Sequence, residues 1–339
     1  MALLEVENLR TQFRTDDGIV QAVDGVSFTI ERGETLGIVG ESGSGKSVTC
    51  LTVMGLNDPR NSTSEGSARF DGIELIGASK EKLNQLRGAR MAMIFQDPMT
   101  SLNPVKTIGW QLEEAVLAHQ DVTRKEARSK ATEALRNVRI PRAEQRVDDY
   151  PHQFSGGMRQ RVMIAMALIN DPDLIIADEP TTALDVTTQA QILNLMRGLQ
   201  DEHGMAIIMI THDLGVVAEI AADVVVMYGG QLVEQAPVDE LFYRPRHPYT
   251  WGLLGSLPRL DAEVDRLVQI PGQPPSLMRP PSGCRFHPRC AYAMEICRSE
   301  VPRLEPIEAS THLQRCWLDE ETKKREGTKI IERVHEVAS

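Results

Sequence analysis

The chain has 339 residues, enough for one large α/β domain and a smaller appendage, each able to bury its own core. Its formal charge of −11, from 37 basic and 48 acidic side chains with no block of Lys or Arg, argues against nucleic acid as the main partner. No secretory signal pattern opens the chain and no apolar run approaches the ~18 residues that span a bilayer, so a soluble, cytoplasmic polypeptide is expected.

Residues 3–13 alternate apolar and polar (Leu4, Val6, Leu9), Asp16-Asp17-Gly18 marks a turn, and Ile19 to Ile30 supplies further short strands, predicting an antiparallel β-layer. Phe13, just before the turn, is a candidate to stack on adenine; read alone, without help from context, it is an ordinary packed strand residue. Thr35 to Val39 reads as a buried strand. It leads into Gly40-Glu41-Ser42-Gly43-Ser44-Gly45-Lys46-Ser47, with a helix following from Val48 to Met54. Glycines let successive N–H groups and a helix N-terminus face phosphate oxygens. Lys46 adds a positive charge at the β/γ-phosphates and Ser47 a hydroxyl for Mg²⁺, so the chain is expected to bind a nucleoside triphosphate.

Gly66 to Leu75 reads as a further hairpin, and Ala92 to Phe95 as a strand ending at Gln96, which can reach a phosphate-bound Mg²⁺ while the loop Asp97 to Pro104 faces a partner. From Val105 to Arg139 the period turns helical, with Leu112, Ala115 and Val116 on one stripe and Ala127, Ala131, Leu135 and Val138 on another. Thr123 to Glu126 has capping-box form and Pro141 stops the second helix, giving a helical insertion with a docking surface. In the stretch Gln153 to Arg161, Ser155 is a natural N-cap, and Gly156 and Gly157 leave that helix end bare enough to touch a second nucleotide site. Asp173 to Pro180 is an apolar strand ending in two acids, Asp178 and Glu179. Strand C-termini of open α/β sheets face the ligand, which puts Asp178 beside Mg²⁺ and Glu179 beside the attacking water. Ala183-Leu184-Asp185 is a tight turn opening the next helix, and the strand Met205 to Ile210 ends at Thr211-His212-Asp213, at the same sheet edge.

Taken together, Gly40 to Ser47, Gln96, Ser155-Gly156-Gly157, Asp178-Glu179, Ala183-Leu184-Asp185 and His212 resemble the ordered motif set of an ABC-type ATPase, over residues 3–258. The segments Met93 to Pro104 and Arg246-His247-Pro248-Tyr249-Thr250 resemble the dipeptide/oligopeptide importer branch more narrowly. The resemblance implies an α/β P-loop core with an antiparallel β-subdomain and a helical subdomain at about 105–170. It also implies a peripheral ATPase at the cytoplasmic face of a bacterial membrane, working with two transmembrane permease subunits and an extracytoplasmic substrate-binding protein. Two ATPase subunits, this chain and a related second one, would pair head to tail. Each ATP would then lie between the loop residues Gly40, Ser42, Gly43, Ser44, Gly45, Lys46, Ser47 and Val48 of one chain and Ser155, Gly156 and Gly157 of the other. Glu179 would be the general base, His212 would hold the γ-phosphate and water, Ser47, Gln96 and Asp178 would surround Mg²⁺, and Asp185 would bridge the dimer. The family signature usually has Leu before the Ser and Gln after the glycines; Phe154 and Met158 depart from it, leaving room for two unequal ATP sites.

Beyond Pro258 the composition changes. Pro271, Pro274, Pro275, Pro280 and Pro281 predict a stiff connector, followed by Cys284, Cys290, Cys297 and Cys316 in a Cys-rich appendage over 259–318. The spacing C-x5-C-x6-C-x18-C is not that of a zinc ribbon, and four thiolates suit either zinc or a [4Fe–4S] cluster. Similarity to the importer branch tips the expectation to a structural iron–sulfur cluster. His287 and His312 could replace a Cys in a zinc site but are expected in solvent or capping loops, and 319–339 as a charged, solvated tail or short helix. Importers for nickel, glutathione or oligosaccharides have similar ATPase subunits. A soluble non-transport ABC ATPase would call for tandem domains, a coiled-coil insertion or a basic stripe, and a small-molecule kinase would leave Ser155-Gly156-Gly157 and His212 without work.

Overall fold

Continuous apolar runs become strands buried on both faces, whereas alternating runs become half-exposed ones. The computed structural model describes residues 2–182, 184–256, 270–307 and 310–335. The expected domain boundary at Pro258, the first part of the connector, and Ala183 lie outside the described residues. The described strands are β1 (Leu4–Thr15), β2 (Gly18–Ile30), β3 (Thr35–Val39), β4 (Ser62–Phe70), β5 (Ile73–Glu74), β6 (Met91–Ile94), β7 (Leu174–Asp178), β8 (Ala206–Thr211), β9 (Asp223–Tyr228), β10 (Gln231–Pro237), β11 (Glu305–Pro306) and β12 (Leu313–Gln314). The chain divides into two units: Met1–Ile30, Thr35–Ile76 and Thr211–Ser339 form the first, Glu31–Glu34 and Gly77–Ile210 the second.

In the first unit, an antiparallel sheet in the order β2-β1-β4-β5 is the expected β-layer. The helix Lys46–Val53 packs on β1, where the Thr11 and Thr52 hydroxyls meet at 2.9 Å in a buried contact. The unit's other strands run β11-β12-β10-β9-β3, with β3 parallel to β9 and the remaining pairs antiparallel. All five residues of β3 are buried, as the run Thr35 to Val39 predicts. In the second unit β8, β7 and β6 are parallel neighbours, and β7 and β8 are buried along their whole length. The helices Ile108–Leu117 and Arg124–Asn137 bury Leu112, Val116, Ala127, Ala131 and Leu135. Thr123 and Glu126 close the capping box, worth about 1 kcal/mol. The second helix stops before Pro141, where Arg139 turns left-handed at φ 59.

The cysteine-rich segment is not a separate appendage but part of the first unit. Phe286 is buried against Tyr228 and Tyr249, with ring centroids 5.1 and 5.4 Å away. Arg289 donates two hydrogen bonds to the Glu41 carboxylate, at 2.6 and 3.0 Å, and others to the carbonyls of Ile270 and Pro271. Arg285 meets Asp24 at 2.7 Å and donates to the Gly229 carbonyl. Even the connector is tied down, since Gln21 N–H donates to the Leu277 carbonyl at 2.9 Å.

Two expectations are corrected here. His312 is not in solvent: it is 3% exposed, and its Nε2 lies 2.7 Å from Oε1 of the fully buried Glu234. That carboxylate also accepts from the backbone N–H groups of Arg246 and His247, so His312 completes the partner set a buried charge requires. Of the two forms expected for the end of the chain, the solvated tail likewise gives way to the helix: residues 320–335 form a packed 16-residue helix, Glu320–His335. Gly327 is the reason: a Cβ there would meet the Pro245 carbonyl at 2.6 Å, and Lys323, beside Glu320, is 2% exposed.

Two predictions come from this packing. His247 is buried, caps the helix Pro248–Gly255 by accepting from Tyr249 N–H at Nδ1, and has its pKa lowered to about 4 from 6.5 by desolvation, with Glu234 opposing. A lowered histidine pKa gives stability that is complete above pH 6.5 and lost as pH falls towards 4, about 3 kcal/mol across that window. Calorimetry of the His247→Asn variant, which retains a capping oxygen, should show that part of the acid loss removed; an unchanged pH profile would place it elsewhere. Second, Arg289→Met should lower stability by about 2 kcal/mol by stranding the partly buried Glu41 carboxylate. The Glu41→Gln, Arg289→Met double variant should lose less than the sum of the single losses in urea unfolding, and strict additivity would deny the coupling.

Candidate functional site

The loop after β3 is shaped by its glycines. Gly40 and Gly45 sit at φ 150 and φ 100, and a Cβ at either would come 2.2 Å from the Met227 carbonyl or 2.4 Å from the Ala22 carbonyl. Gly43, at φ 76, faces open space. Gly45 precedes the helix Lys46–Val53 in a left-handed conformation with no side-chain cap, so the first N–H groups of that helix have no capping side chain. Lys46 is 5% exposed, and its Nζ donates to the carbonyls of Gly40 and Glu41 at 2.6 and 3.0 Å. Ser44 Oγ is buried with no hydrogen-bond partner. A bare helix start, a buried ammonium and an orphaned hydroxyl within one loop fit a polyphosphate. Phe13 is half-buried in the sheet that carries this helix, in register with Val20 and Ser62. Ser47 and Val48 occupy the helix's first turn. Sequence reasoning missed Glu41 as a structural member of the loop. Its side chain is bound by Arg289 and its N–H donates to Tyr249 Oη at 2.8 Å; an acid between two loop glycines was the available signal.

In the second unit β7 delivers Asp178, 7% exposed, and then Glu179. Glu179 has φ 47, a left-handed conformation that costs a non-glycine residue roughly 1–2 kcal/mol. It is held there by its N–H donating to the Ile210 carbonyl at 2.9 Å and by Thr182 N–H donating to its own carbonyl at 3.2 Å. Its carboxylate accepts from Gln96 Nε2 at 3.0 Å and from Thr182 Oγ1 at 2.8 Å. The structure thus brings Gln96 and Glu179 together, and adds Thr182, which the sequence reading did not single out. After Gln96, Asp97 caps a short helix, and Met99 and Val105 are 62% and 74% exposed. His212, in the first unit, follows β8 directly and is exposed, ahead of Asp213, which caps the helix Leu214–Ile220.

Ser155 caps the helix Gly156–Leu168 by accepting from Met158 N–H at 3.4 Å. Phe154, where the family pattern has Leu, is buried with the Arg146 guanidinium 5.7 Å from its ring centre. A Cβ at Gly156 would meet nothing, whereas one at Gly157 would strike Thr188 at 2.7 Å. Asp185 caps the helix Val186–His203, accepting from Thr188 N–H and Oγ1 at 2.9 and 2.7 Å; those bonds hold its carboxyl below the ordinary range. Ser155, Gly156, Gly157, Asp185 and Thr188 line one open cleft of about 770 Å³. A helix N-terminus whose first two residues are glycines, open to this cleft, leaves room for an anion to approach.

The Cys₄ centre expected at Cys284, Cys290, Cys297 and Cys316 is not a preformed cage. Among the described residues no group of three or more His, Cys, Asp or Glu side chains is arranged to hold a metal ion. Burial pushes the Cys290 and Cys316 thiols up to about 11 and about 12 and raises Cys284 as well. They are nevertheless neighbours: Cys284 lies within electrostatic range of both Cys290 and Cys316, and its N–H donates to the Cys297 carbonyl at 2.9 Å. Gly283, at φ 66, allows this approach, since a Cβ there would lie 2.4 Å from the same carbonyl.

Residues 23–182 match the ABC transporter family, and residues 233–297 match the oligopeptide/dipeptide transporter C-terminal region. The chain is 51% identical to the oligopeptide transport ATP-binding protein OppD of Haemophilus influenzae over 94% of its own length and 98% of that protein's. It is 54% identical to OppD of Escherichia coli, covering 89% of each chain. Its fold is similar to a dimeric, post-hydrolysis structure of the ATP-binding cassette MJ0796 bound to ADP and Pi, with a TM-score of 0.62 and 29% identity over 69% of this chain and 98% of that one. The chain therefore belongs to the ATP-binding cassette ATPases of the ABC transporter family, in the branch that carries the oligopeptide/dipeptide transporter C-terminal region.

Proposed function

We propose that this chain hydrolyses ATP to ADP and phosphate as the energy-coupling subunit of a peptide importer. The observation that carries this reading is Glu179, strained at the end of a buried strand with its carboxylate held by Gln96 and Thr182. Backbone strain of this kind persists where the surroundings over-determine it, as at catalytic groups. Glu179 takes a proton from the water that attacks the γ-phosphorus while the bond to the β-phosphate oxygen breaks, and His212 steadies that phosphate. Lys46 leaves the loop carbonyls for the β/γ-phosphates, Gly40, Ser42, Gly43, Ser44, Gly45 and Val48 line the triphosphate, and Phe13 stacks on adenine. Mg²⁺, held by Ser47, Asp178 and Gln96, supplies charge neutralisation at the phosphates when bound. Ser155, Gly156 and Gly157 of a second ATPase subunit, a paralogue, close over the same nucleotide, and Asp185 bridges the two subunits. Peptides are favoured as cargo because the OppD relatives are named for oligopeptide transport.

No described helix is long and apolar enough to cross a membrane. On this reading, which follows the oligopeptide-transport relatives, the chain works at the cytoplasmic face on two permease subunits, fed by a substrate-binding protein outside. The exposed Met99 and Val105 near Gln96 supply an apolar contact for the permease. Cys284, Cys290, Cys297 and Cys316 close on a structural [4Fe–4S] cluster, with zinc as the alternative occupant. Their mutual proximity supports this reading, because a bound metal would lower the thiol pKa values that burial raises.

Replacing Glu179 with Gln should lower ATP turnover by about 10²-fold or more and trap an ATP-bound dimer visible by gel filtration; turnover near the wild-type rate would reject Glu179 as base. Anaerobically purified protein should be brown and contain iron and sulfide, whereas colourless protein with stoichiometric zinc would decide for zinc.

A further inference from the structure

The first unit holds a second, unassigned cavity, of about 740 Å³. Its walls come from the segment Arg244-Pro245-Arg246, from residues 310–312 and from the helix Glu320–His335. Arg246, part of a motif the ATPase chemistry does not use, is 9% exposed, and its side-chain Nε is buried with no hydrogen-bond partner. Glu234, the buried acid that accepts the Arg246 backbone N–H, is already committed to that group, to His247 N–H and to His312 Nε2. Arg244 and Lys324 also line the cavity, and among its described lining residues the single acid is Glu240, 3.3 Å from Arg244. A buried guanidinium without a counter-charge is costly, and its planar fork matches the two oxygens of a carboxylate or phosphate. Thr311 also lines the cavity and carries a hydroxyl that can join such a site, whereas the Ser310 and Thr328 hydroxyls donate to the Ile307 and Lys324 carbonyls; Tyr243, 58% exposed, offers an apolar face beside it.

We propose that this cavity is a binding site for a small oxyanion-headed organic molecule, whose head group pairs with Arg246 and whose body lies against Tyr243. The site is independent of the ATPase reading and is formed by the C-terminal part of the chain. Because the helix Glu320–His335 supplies one wall, occupancy tightens that helix onto the Arg244–Arg246 segment.

Calorimetric titration of the full chain, saturated with Mg·ADP so that the phosphate loop is filled, would use inorganic phosphate and the dipeptide Ala-Phe as probes. Saturable binding of one molecule per chain is expected for at least one probe, phosphate alone indicating a phosphate head and the dipeptide alone a carboxylate. Arg246→Gln should weaken that binding about tenfold or more, in line with loss of a charge-assisted pair, and Lys324→Met severalfold. Should Arg246→Gln fail to fold, Lys324→Met decides by the same measure. Absence of binding by both probes, or wild-type affinity in every folded variant, would overturn the site.

Discussion

The two-pronged ion pair between Arg289 and Glu41 is the constraint on which the first unit's arrangement turns. It joins residues 248 apart, and its acid is the second residue of the loop that begins at Gly40. A loop of glycines is conformationally loose on its own, and each glycine loses more freedom on ordering than any other residue. Here that freedom is removed from outside: Arg289 fixes the Glu41 side chain, Tyr249 Oη accepts its N–H, and Phe286 packs between Tyr228 and Tyr249. The neighbouring Glu41 carboxylate raises the Arg289 pKa further, so the cation is present at any pH the fold survives. The cysteine-rich segment thus acts as a brace for the nucleotide loop, which explains why it folds into the first unit instead of hanging beyond a stiff connector.

The second unit solves a different problem. β7 must end in two acids, and the backbone at Glu179 must leave the strand in a conformation that ordinary residues avoid. Hydrogen bonds to Ile210 and Thr182 offset the roughly 1–2 kcal/mol of strain. The conformation turns the carboxylate to Gln96 and Thr182, which fix its direction before any ligand arrives. Preorganised groups avoid reorganisation during reaction, which is why such local strain is tolerated where chemistry is done.

Features fixed by local chemistry were legible in the sequence. Apolar runs became β3 and β7, Thr123 and Glu126 closed a capping box, Ser155 became an N-cap, and the turn at Asp185 opened the next helix, the last two because each side chain reaches the N–H three residues ahead. Contacts between distant segments were not. Nothing near His312 announces Glu234, which lies 78 residues away, and nothing near Glu41 announces Arg289. The charged run at the end of the chain read as a solvated tail or short helix because its composition is polar, and what it did not announce is that one glycine, Gly327, lets that helix approach Pro245 closely enough to bury Lys323. Cysteine spacing also gave proximity without geometry, since backbone contacts such as Cys284 N–H to Cys297 O set neighbours but not the direction of four thiols.

Buried charge recurs in the C-terminal part of the chain, and its pattern separates bracing from binding. Arg285 and Arg289 are each buried against an acid, Asp24 and Glu41, and each also donates to backbone carbonyls. Glu234 is buried against His312 and two N–H groups. These groups are saturated, so they specify one packing of the segment and have no further capacity for a ligand. Arg246 is buried to a similar degree but beside a cavity, with its Nε unmatched. A fold that supplies acids for Arg285 and Arg289 could have supplied one for Arg246. Its omission at a buried guanidinium beside a cavity is the pattern a binding site requires.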